Sequence, residues 1–188
     1  MGRYLLSHRR VAAVFRWQQK VDRLDCYSDA DWGGDPITRR SVSGGCILRG
    51  SHCLKTWCKK QQVVALSSAE SELYAGLRTA SEGLGMQALG SDMGQQYSVM
   101  LHLDSTAALS LVNKVGLGRA KHIEMQHLWL QHATNSKRVS TAKVGTEENP
   151  AYLMTKGLHE DRVNKLLNIM GHERHNDKVQ EEARSGRS

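Results

Sequence analysis

The fold of this chain is decided by the stretch Tyr27-Ser28-Asp29-Ala30-Asp31-Trp32-Gly33-Gly34, in which two carboxylates end a strand-like run and a glycine pair follows. Side chains alternate faces along an extended backbone, so Asp29 and Asp31 are predicted to point to the same side of a sheet. Acidic groups are stable on such a face where it is wet or where it holds a cation. The octapeptide alone does not choose between these, and the choice depends on acids elsewhere in the chain.

The composition is that of one basic domain. The 188 residues suffice for a single domain with a substantial core, and Lys plus Arg outnumber Asp plus Glu by 26 to 19. The resulting net charge of +7 permits a polyanionic partner, although solubility alone can explain such an excess. No window approaches the ~18 apolar residues of a membrane span, and no signal segment opens the chain. We therefore expect an intracellular protein, in a cytoplasmic particle or the nucleus, that is not secreted and has no membrane partner.

The four cysteines match no common metal motif. Cys53 and Cys58 are too far apart for a C-x-x-C pair, while Cys26 and Cys46 stand alone in strand-like runs. This pattern favours free thiols in a reducing compartment. A zinc site built from Cys53, Cys58 and nearby histidines is a rival interpretation, which a metal analysis without zinc would remove.

The first half of the chain predicts a meander followed by a helix. Short strands are expected at residues 24–29, 43–48 and 52–57, joined by polar or glycine-bearing connections. Ser67 and Glu70 then match a capping box at a helix start. The helix carries an apolar stripe that a sheet can cover: Ala69, Leu73, Leu77, Ala80, Leu84 and Ala88. Gly76 and Gly83 flank this stripe, so we expect the helix to approach the sheet closely.

The second half predicts two more strands, at residues 98–103 and 138–144, with helices at 107–112, 122–132 and in patches over 147–170. The fold class is therefore α/β, with a mixed five-stranded sheet, three antiparallel strands first and helices on its faces. We expect the domain to span residues 21–171. Residues 3–20 precede it as one or two helices, and a polar tail of residues 172–188 is expected to be disordered.

Three acids occupy positions from which they can converge. Asp29 ends the first strand, Asp104 ends the fourth, and a helix acid, either Glu70 or Glu72, crosses above them. Converged carboxylates repel one another unless a divalent cation lies between them. Ligation by oxygen alone suits Mg²⁺, and a pair of such ions about 4 Å apart activates water in phosphoryl transfer. This pattern indicates a nuclease site with two Mg²⁺ ions, for which Mn²⁺ is an alternative.

Six motifs follow one another along the chain. They are the opening octapeptide and these further motifs: Arg40-Ser-Val-Ser-Gly-Gly45, Lys60-Gln-Gln-Val-Val-Ala-Leu-Ser-Ser-Ala-Glu-Ser-Glu-Leu-Tyr-Ala75, Leu103-Asp-Ser-Thr-Ala-Ala108, Lys121-His-Ile-Glu124 and Asn149-Pro-Ala-Tyr-Leu-Met-Thr-Lys156. In these motifs the chain resembles the ribonuclease H domain of copia-type retrotransposon Pol polyproteins. The resemblance runs in order over about residues 20–170, and residues 1–20 resemble the connection that follows the reverse transcriptase in those polyproteins.

The resemblance implies hydrolysis of the RNA strand in an RNA–DNA hybrid, with Mg²⁺ as cofactor and the reverse transcriptase region of the parent polyprotein as partner. It assigns Asp29, Glu72 and Asp104 as catalytic metal ligands, which leaves Glu70 to the capping box. Asp31 and His122 are auxiliary candidates. Hybrid contacts are expected from basic residues: Arg39, Arg40, Lys55, Lys59 and Lys60.

One position departs from the family pattern. The motif Asn-Pro-Ala-Asp-Leu-x-Thr-Lys carries a fourth acid where this chain has Tyr152. A phenol is a poor Mg²⁺ ligand because it stays protonated near its reference pKa of ~10. Glu147, Glu148 and Asp161 are the nearby acids that can be considered as substitutes. The sequence thus predicts a weakened or inactive ribonuclease H, with a catalytically dead nucleic-acid-binding module as the alternative.

Overall fold

The computed structural model describes residues 11–113 and 125–174 of the chain. Its strands are β1 (Val11–Ala13), β2 (Arg23–Asp31), β3 (Val42–Arg49), β4 (His52–Lys60), β5 (Ser98–Leu103), β6 (Val139–Lys143) and β7 (His172–Arg174). Its α-helices are α1 (Ser68–Asp92), α2 (Thr106–Asn113), α3 (Met125–Asn135) and α4 (Glu160–Ile169). Two short 3-10 turns lie at Thr146–Glu148 and Pro150–Met154.

The central sheet has five strands in the order β4-β3-β2-β5-β6. The first three strands of this sheet in the chain pair antiparallel, whereas β5 and β6 join them in parallel. The predicted α/β fold with a mixed five-stranded sheet is therefore confirmed. Because β2 and β5 are parallel neighbours, their carboxyl ends meet at the same edge of the sheet, where ligands bind in such folds.

Helix α1 begins where the sequence predicts. The Ser67 hydroxyl accepts a hydrogen bond from the Glu70 backbone N–H at 3.2 Å, and the Glu70 carboxylate accepts one from the Leu66 N–H at 2.8 Å. This arrangement differs from a capping box because the carboxylate reaches one residue before the cap rather than the cap itself.

Helix α1 packs directly against the sheet at Gly76 and Gly83, where the sequence predicts a close approach. A Cβ atom at Gly83 would lie 2.7 Å from the Cys26 sulfur, and one at Gly76 would lie 3.0 Å from a methyl group of Leu103. Any larger side chain would push the helix away from the core. The expected close approach is therefore present, and it fixes how far α1 stands from the strand ends.

The opposite face of the sheet is covered by the turn Pro150–Met154 and by α4. A Cβ atom at Gly44 would lie 2.5 Å from the Cβ atom of Met154 and 2.7 Å from the Thr155 methyl group. Gly44 is the β3 partner of Asp29 across the ladder. The turn therefore sits on the backbone of β3, directly beside the end of β2.

The described part of the N-terminal segment is not helical. Val11–Ala13 form β1, which pairs antiparallel with β7, and no helix follows between Val14 and Asp22. The helical prediction is wrong here because the backbone hydrogen bonds of this stretch go to β7 and to Gly171. Strand β7 also extends three residues past the expected boundary at residue 171. Residues 1–10 and the tail from residue 175 lie outside the described residues.

Among the described residues, no helix is both long and apolar enough to cross a bilayer. All four cysteines are free thiols. Cys53 pairs with Leu48 and Cys58 with Gly44, four residues apart on β3, which separates the two by about 13 Å along the strand. They cannot share one zinc ion, so the zinc interpretation is wrong.

Candidate active site

Three carboxylates meet at the carboxyl edge of the sheet. Asp29 near the end of β2, Glu72 in the first turns of α1 and Asp104 just after β5 each offer an oxygen, and these oxygens lie within 4.8 Å of one another. They are the three acids that the resemblance assigns. Within residues 11–113 and 125–174, no other group of three or more metal-binding side chains was found.

The elements that carry these acids explain the convergence. The register that pairs Tyr27 with His102 in the parallel β2–β5 ladder brings Asp29 and Asp104 side by side two residues later. Glu72 comes down from α1, and its Oε1 accepts a hydrogen bond of 3.2 Å from the Ala30 N–H. Glu70 instead binds the Leu66 N–H at the helix start. The structure therefore separates the two helix acids that periodicity left open.

Two of these acids are buried and therefore poorly solvated. The Asp29 side chain is fully buried, and Glu72 is 9% exposed. Burial, followed by the charges of Asp29 and Asp104, raises the pKa of Glu72 to about 8. Burial also raises the pKa of Asp29, although the Thr155 hydroxyl and the Lys156 ammonium oppose this shift. Such a cluster gains stability when a positive charge joins it.

One atom of the cluster lacks a hydrogen-bond partner within the described part of the chain. There, Glu72 Oε2 is buried and accepts no hydrogen bond, which is costly for a carboxylate oxygen. A hard divalent cation would satisfy it, because Mg²⁺ prefers carboxylate oxygens and water. The donor set, which consists of oxygens only, and this orphaned atom together fit a Mg²⁺ or Mn²⁺ ion.

A second group of side chains reaches the same acids from the turn at residues 149–156. The Tyr152 hydroxyl donates a hydrogen bond of 2.7 Å to Asp104 Oδ2. The Thr155 hydroxyl donates to Asp29 Oδ2, and the Lys156 ammonium lies 3.4 Å from Asp29 Oδ1. Burial and the Asp104 carboxylate raise the pKa of Tyr152, so the phenol stays protonated and acts as a donor.

Tyr152 is also held between two cations. Its ring lies 4.1 Å from the Lys156 ammonium and 5.0 Å from the guanidinium carbon of Arg162. Arg162 in turn forms an ion pair of 3.1 Å with Glu147 and donates to the Thr146 carbonyl at 2.8 Å. The phenol at the position of the family's fourth acid is thus packed and fixed, and it carries no negative charge.

Three residues beyond the predicted candidates also matter here: Asn149, Thr155 and Lys156. Asn149 is fully buried, caps the turn through the Ala151 N–H at 3.1 Å and donates to the Ser28 carbonyl of β2 at 2.8 Å. It ties the turn to the strand that carries Asp29. An Asn-Pro pair is a recognisable turn start, so Asn149 could have been found from the sequence. Nothing in the sequence shows where Thr155 and Lys156 point.

The remaining candidates lie away from the cluster or outside the described residues. The Asp31 carboxylate curls over the glycine turn, where a Cβ atom at Gly34 would come within 2.1 Å of it, and it does not join the three acids. Glu147 pairs with Arg162, Glu148 is exposed and the Asp161 side chain is 94% exposed, so none replaces the fourth acid. His122 lies outside the described residues.

The five basic candidates for hybrid contact are all exposed, but not all are free. Lys55 forms an ion pair of 2.7 Å with Glu82, and Lys60 forms one with Asp35. Lys59 lies beside Lys60 along a cavity of about 760 Å³ between β4, α1 and Trp129. Arg39 and Arg40 lie in the loop after β2, where Arg39 adopts a left-handed backbone with φ of 55°.

The curated proteins that this chain is similar to include Pol polyproteins of transposons. The Pol polyprotein of transposon TNT 1-94 from Nicotiana tabacum is 28% identical over 150 residues, which cover 79% of this chain and 11% of that protein. The Pol polyprotein of transposon RE2 from Arabidopsis thaliana is 32% identical over 138 residues, which cover 72% of this chain and 10% of that protein. The chain thus spans about a tenth of the length of these curated relatives. No family model matches the chain.

Solved structures show the same fold. The ribonuclease H1 named LC11, isolated from compost by a metagenomic approach, superposes with a TM-score of 0.55 at 14% identity, covering 78% of this chain and 99% of that one. The same enzyme in complex with an RNA/DNA hybrid gives a TM-score of 0.54 at 14% identity, and the match covers 70% of this chain and 92% of that one. The recognition of a ribonuclease H domain of a retrotransposon Pol polyprotein is therefore confirmed.

Proposed function

Because this chain is a ribonuclease H domain of a retrovirus-related Pol polyprotein, we propose that it hydrolyses the RNA strand of RNA–DNA hybrids in a reaction that depends on a divalent metal. The observation that carries this proposal is the convergence of Asp29, Glu72 and Asp104 around the orphaned oxygen Glu72 Oε2. The hybrid bound by the structurally similar ribonuclease H1 supports the choice of substrate. The order of the motifs supports the copia lineage.

The three acids are proposed to hold Mg²⁺, or Mn²⁺ in its place. When bound there, the metal supplies Lewis-acid stabilisation of the phosphoryl oxygens and an activated water. The protein's own groups fix the ligands. The Ala30 N–H orients Glu72, the Thr155 hydroxyl and Lys156 orient Asp29, and Tyr152 holds Asp104.

The exposed bases near this edge are proposed to contact the sugar–phosphate backbone of the hybrid. Arg39, Arg40 and Lys59 extend into solvent, whereas Lys55 and Lys60 must leave their ion pairs to do so. Phosphate contacts of this kind give affinity without sequence preference. Discrimination of RNA from DNA is proposed to rest on the 2′-hydroxyl of the cleaved strand.

We propose that activity is weakened relative to chains with a fourth acid. Tyr152 supplies a neutral donor where the family pattern has a carboxylate, and it occupies one oxygen of Asp104. The same contact supports the alternative function, a nucleic-acid-binding module without catalysis, since Asp104 Oδ2 and both oxygens of Asp29 already have partners within the chain.

The proposed partners and location follow from the family. We propose that the domain works beside the reverse transcriptase region of its polyprotein, inside the cell, in a cytoplasmic particle or the nucleus. The four free thiols are consistent with a reducing compartment.

The deciding experiment incubates the protein with an end-labelled RNA–DNA hybrid and Mg²⁺, with RNA–RNA and DNA–DNA duplexes as controls. Cleavage of the RNA strand in the hybrid alone is expected, and EDTA should stop it. A protein that retains the hybrid but leaves it uncut, even as Tyr152→Asp, would establish the binding module instead. Cleavage that persists in EDTA would contradict the metal site.

A further inference from the structure

The two sides of the acidic cluster differ in what they offer to a cation. Glu72 approaches from α1, on one face of the sheet, and brings the orphaned Oε2. The turn that carries Tyr152, Thr155 and Lys156 approaches from the other face, where it lies on Gly44. Among residues 11–113 and 125–174, the side of Glu72 therefore lacks a positive partner, whereas the side of the turn already has one.

The Lys156 ammonium is that positive partner. It lies 3.4 Å from Asp29 Oδ1 and 4.1 Å from the centre of the Tyr152 ring, and its side chain is only 34% exposed. An ammonium in contact with both a buried carboxylate and an aromatic face is held in place rather than solvated. It contacts Asp29, which is one of the three acids of the cluster.

The charges of the cluster agree with this placement. With Asp29, Glu72 and Asp104 ionised, the ammonium cancels one of three negative charges, and a single divalent cation cancels the remaining two. A fourth carboxylate at position 152 would add a negative charge and with it the demand for a second ion. This chain instead has a phenol there, which binds Asp104 Oδ2.

We propose that this site uses one divalent metal ion, on the side of Glu72, and that the Lys156 ammonium occupies the place of the second ion. This inference rests on the proposed function and deepens it, because it changes the metal requirement of the site but not its substrate. Lys156 is then a positioning residue. It orients Asp29, and it excludes a second cation from the side of the turn.

The test counts Mn²⁺ ions by electron paramagnetic resonance in the protein mixed with a hybrid whose RNA strand is 2′-O-methylated throughout, so that it is not cut. Two Mn²⁺ ions about 4 Å apart are coupled magnetically, whereas a single ion is not. We expect one uncoupled Mn²⁺ per chain in the wild type and in Lys156→Arg. A coupled pair is expected in Lys156→Met and in Tyr152→Asp.

A thermal measurement provides a readout independent of the hybrid. Because Lys156→Met leaves the carboxylates without a counter-ion, its Tm without metal should fall below that of the wild type. Mn²⁺ should raise its Tm by at least twice as much as it raises that of the wild type or of Lys156→Arg.

The outcomes separate this inference from the proposed function. A coupled Mn²⁺ pair in a wild-type protein that cleaves hybrids would overturn the single-ion site and leave the nuclease standing. An equal rise of Tm in all variants would likewise overturn the role of Lys156. A protein that neither binds Mn²⁺ nor cleaves would overturn both.

Discussion

The acids carried by strands and by α1 contrast with the groups carried by the turn at residues 149–156. Asp29, Glu72 and Asp104 sit on long regular elements, and their convergence follows from ladder register and helix packing. Tyr152, Thr155 and Lys156 sit on a short 3-10 turn and its end, held by Asn149 and seated on Gly44. The first set is negative and leaves an oxygen unpaired, whereas the second set supplies only donors and a positive charge.

If the proposed function is correct, this difference would let the fold keep a metal site and change its metal requirement. Altering the strand-borne acids would remove ligands and destroy the site. Altering a residue of the turn changes only the donors and the charge that contact Asp29 and Asp104 from the face of the sheet opposite α1. A substitution such as the one at position 152 is tolerated by the fold, since Tyr152 packs between Lys156 and Arg162 and pairs with Asp104.

The largest loss of activity is expected from Asp104→Asn, which removes one acid of the cluster. The amide keeps the shape but lacks the charge needed to hold a divalent cation, so cleavage of a labelled hybrid should fall by more than about 100-fold, the upper cost of losing an outer-shell group. The matched control is Asp92→Asn, at the exposed end of α1, which should leave the cleavage rate unchanged. Full activity in Asp104→Asn, with a native Tm, would refute the site assignment.

The next largest effect on cleavage is expected at Tyr152, in the turn. Tyr152→Asp should raise the rate of cleavage by about 10- to 100-fold, because it adds a carboxylate beside Asp104 and frees Oδ2. Tyr152→Phe is the control, since it keeps the ring between Lys156 and Arg162 and removes only the hydroxyl. Equal gains in both variants would mean that the phenol blocks Asp104 and that the missing acid does not matter.

A smaller effect is expected from detaching the turn. Asn149→Ala removes a buried hydrogen bond to Ser28 and the cap at Ala151, a loss of about 1–3 kcal/mol in the free energy of unfolding. Urea unfolding should show this loss, while Asn168→Ala on the exposed face of α4 should not. Hybrid cleavage should also drop in Asn149→Ala, because Thr155 and Lys156 lose their position. Unchanged stability would mean that packing of the turn against Gly44 is sufficient to hold it in place.

The last expected effect concerns pH in the metal-free protein. The pKa of Glu72 is raised from 4.5 to about 8, so the folded state prefers the protonated acid. This contribution is complete below pH 4.5 and is lost as pH rises through about 8, so the free energy of unfolding should fall over that range. Glu72→Gln should flatten this slope in urea unfolding, and Mg²⁺ should oppose it in the wild type. A slope that Glu72→Gln leaves intact would assign the pH dependence to other groups.

The regular part of the site was accessible to sequence reasoning. Alternation along residues 24–31 predicts the direction of Asp29, and the stripe of α1 with Gly76 and Gly83 predicts its close approach. Periodicity did not separate Glu70 from Glu72, because both lie near the helix start, and only the resemblance chose between them. The contact of Glu70 with Leu66 gives the physical reason for that choice.

The N-terminal segment shows where local pattern fails. Its apolar residues among bases resemble an amphipathic helix, yet Val11–Ala13 pair with His172–Arg174, more than 150 residues away in the chain. Propensity is a local preference, and a distant strand that satisfies the backbone hydrogen bonds overrides it.

Periodicity and local motifs predicted the class of fold, the order of the elements from β2 to α4 and a set of acids that can converge, because these patterns are local in the chain. The residues that contact those acids from the opposite face of the sheet are determined by tertiary packing. Tyr152, Thr155 and Lys156 reach Asp104 and Asp29 across separations of 48, 126 and 127 residues. Their direction is set by the seat on Gly44 and the bond from Asn149 to Ser28, which no local pattern encodes.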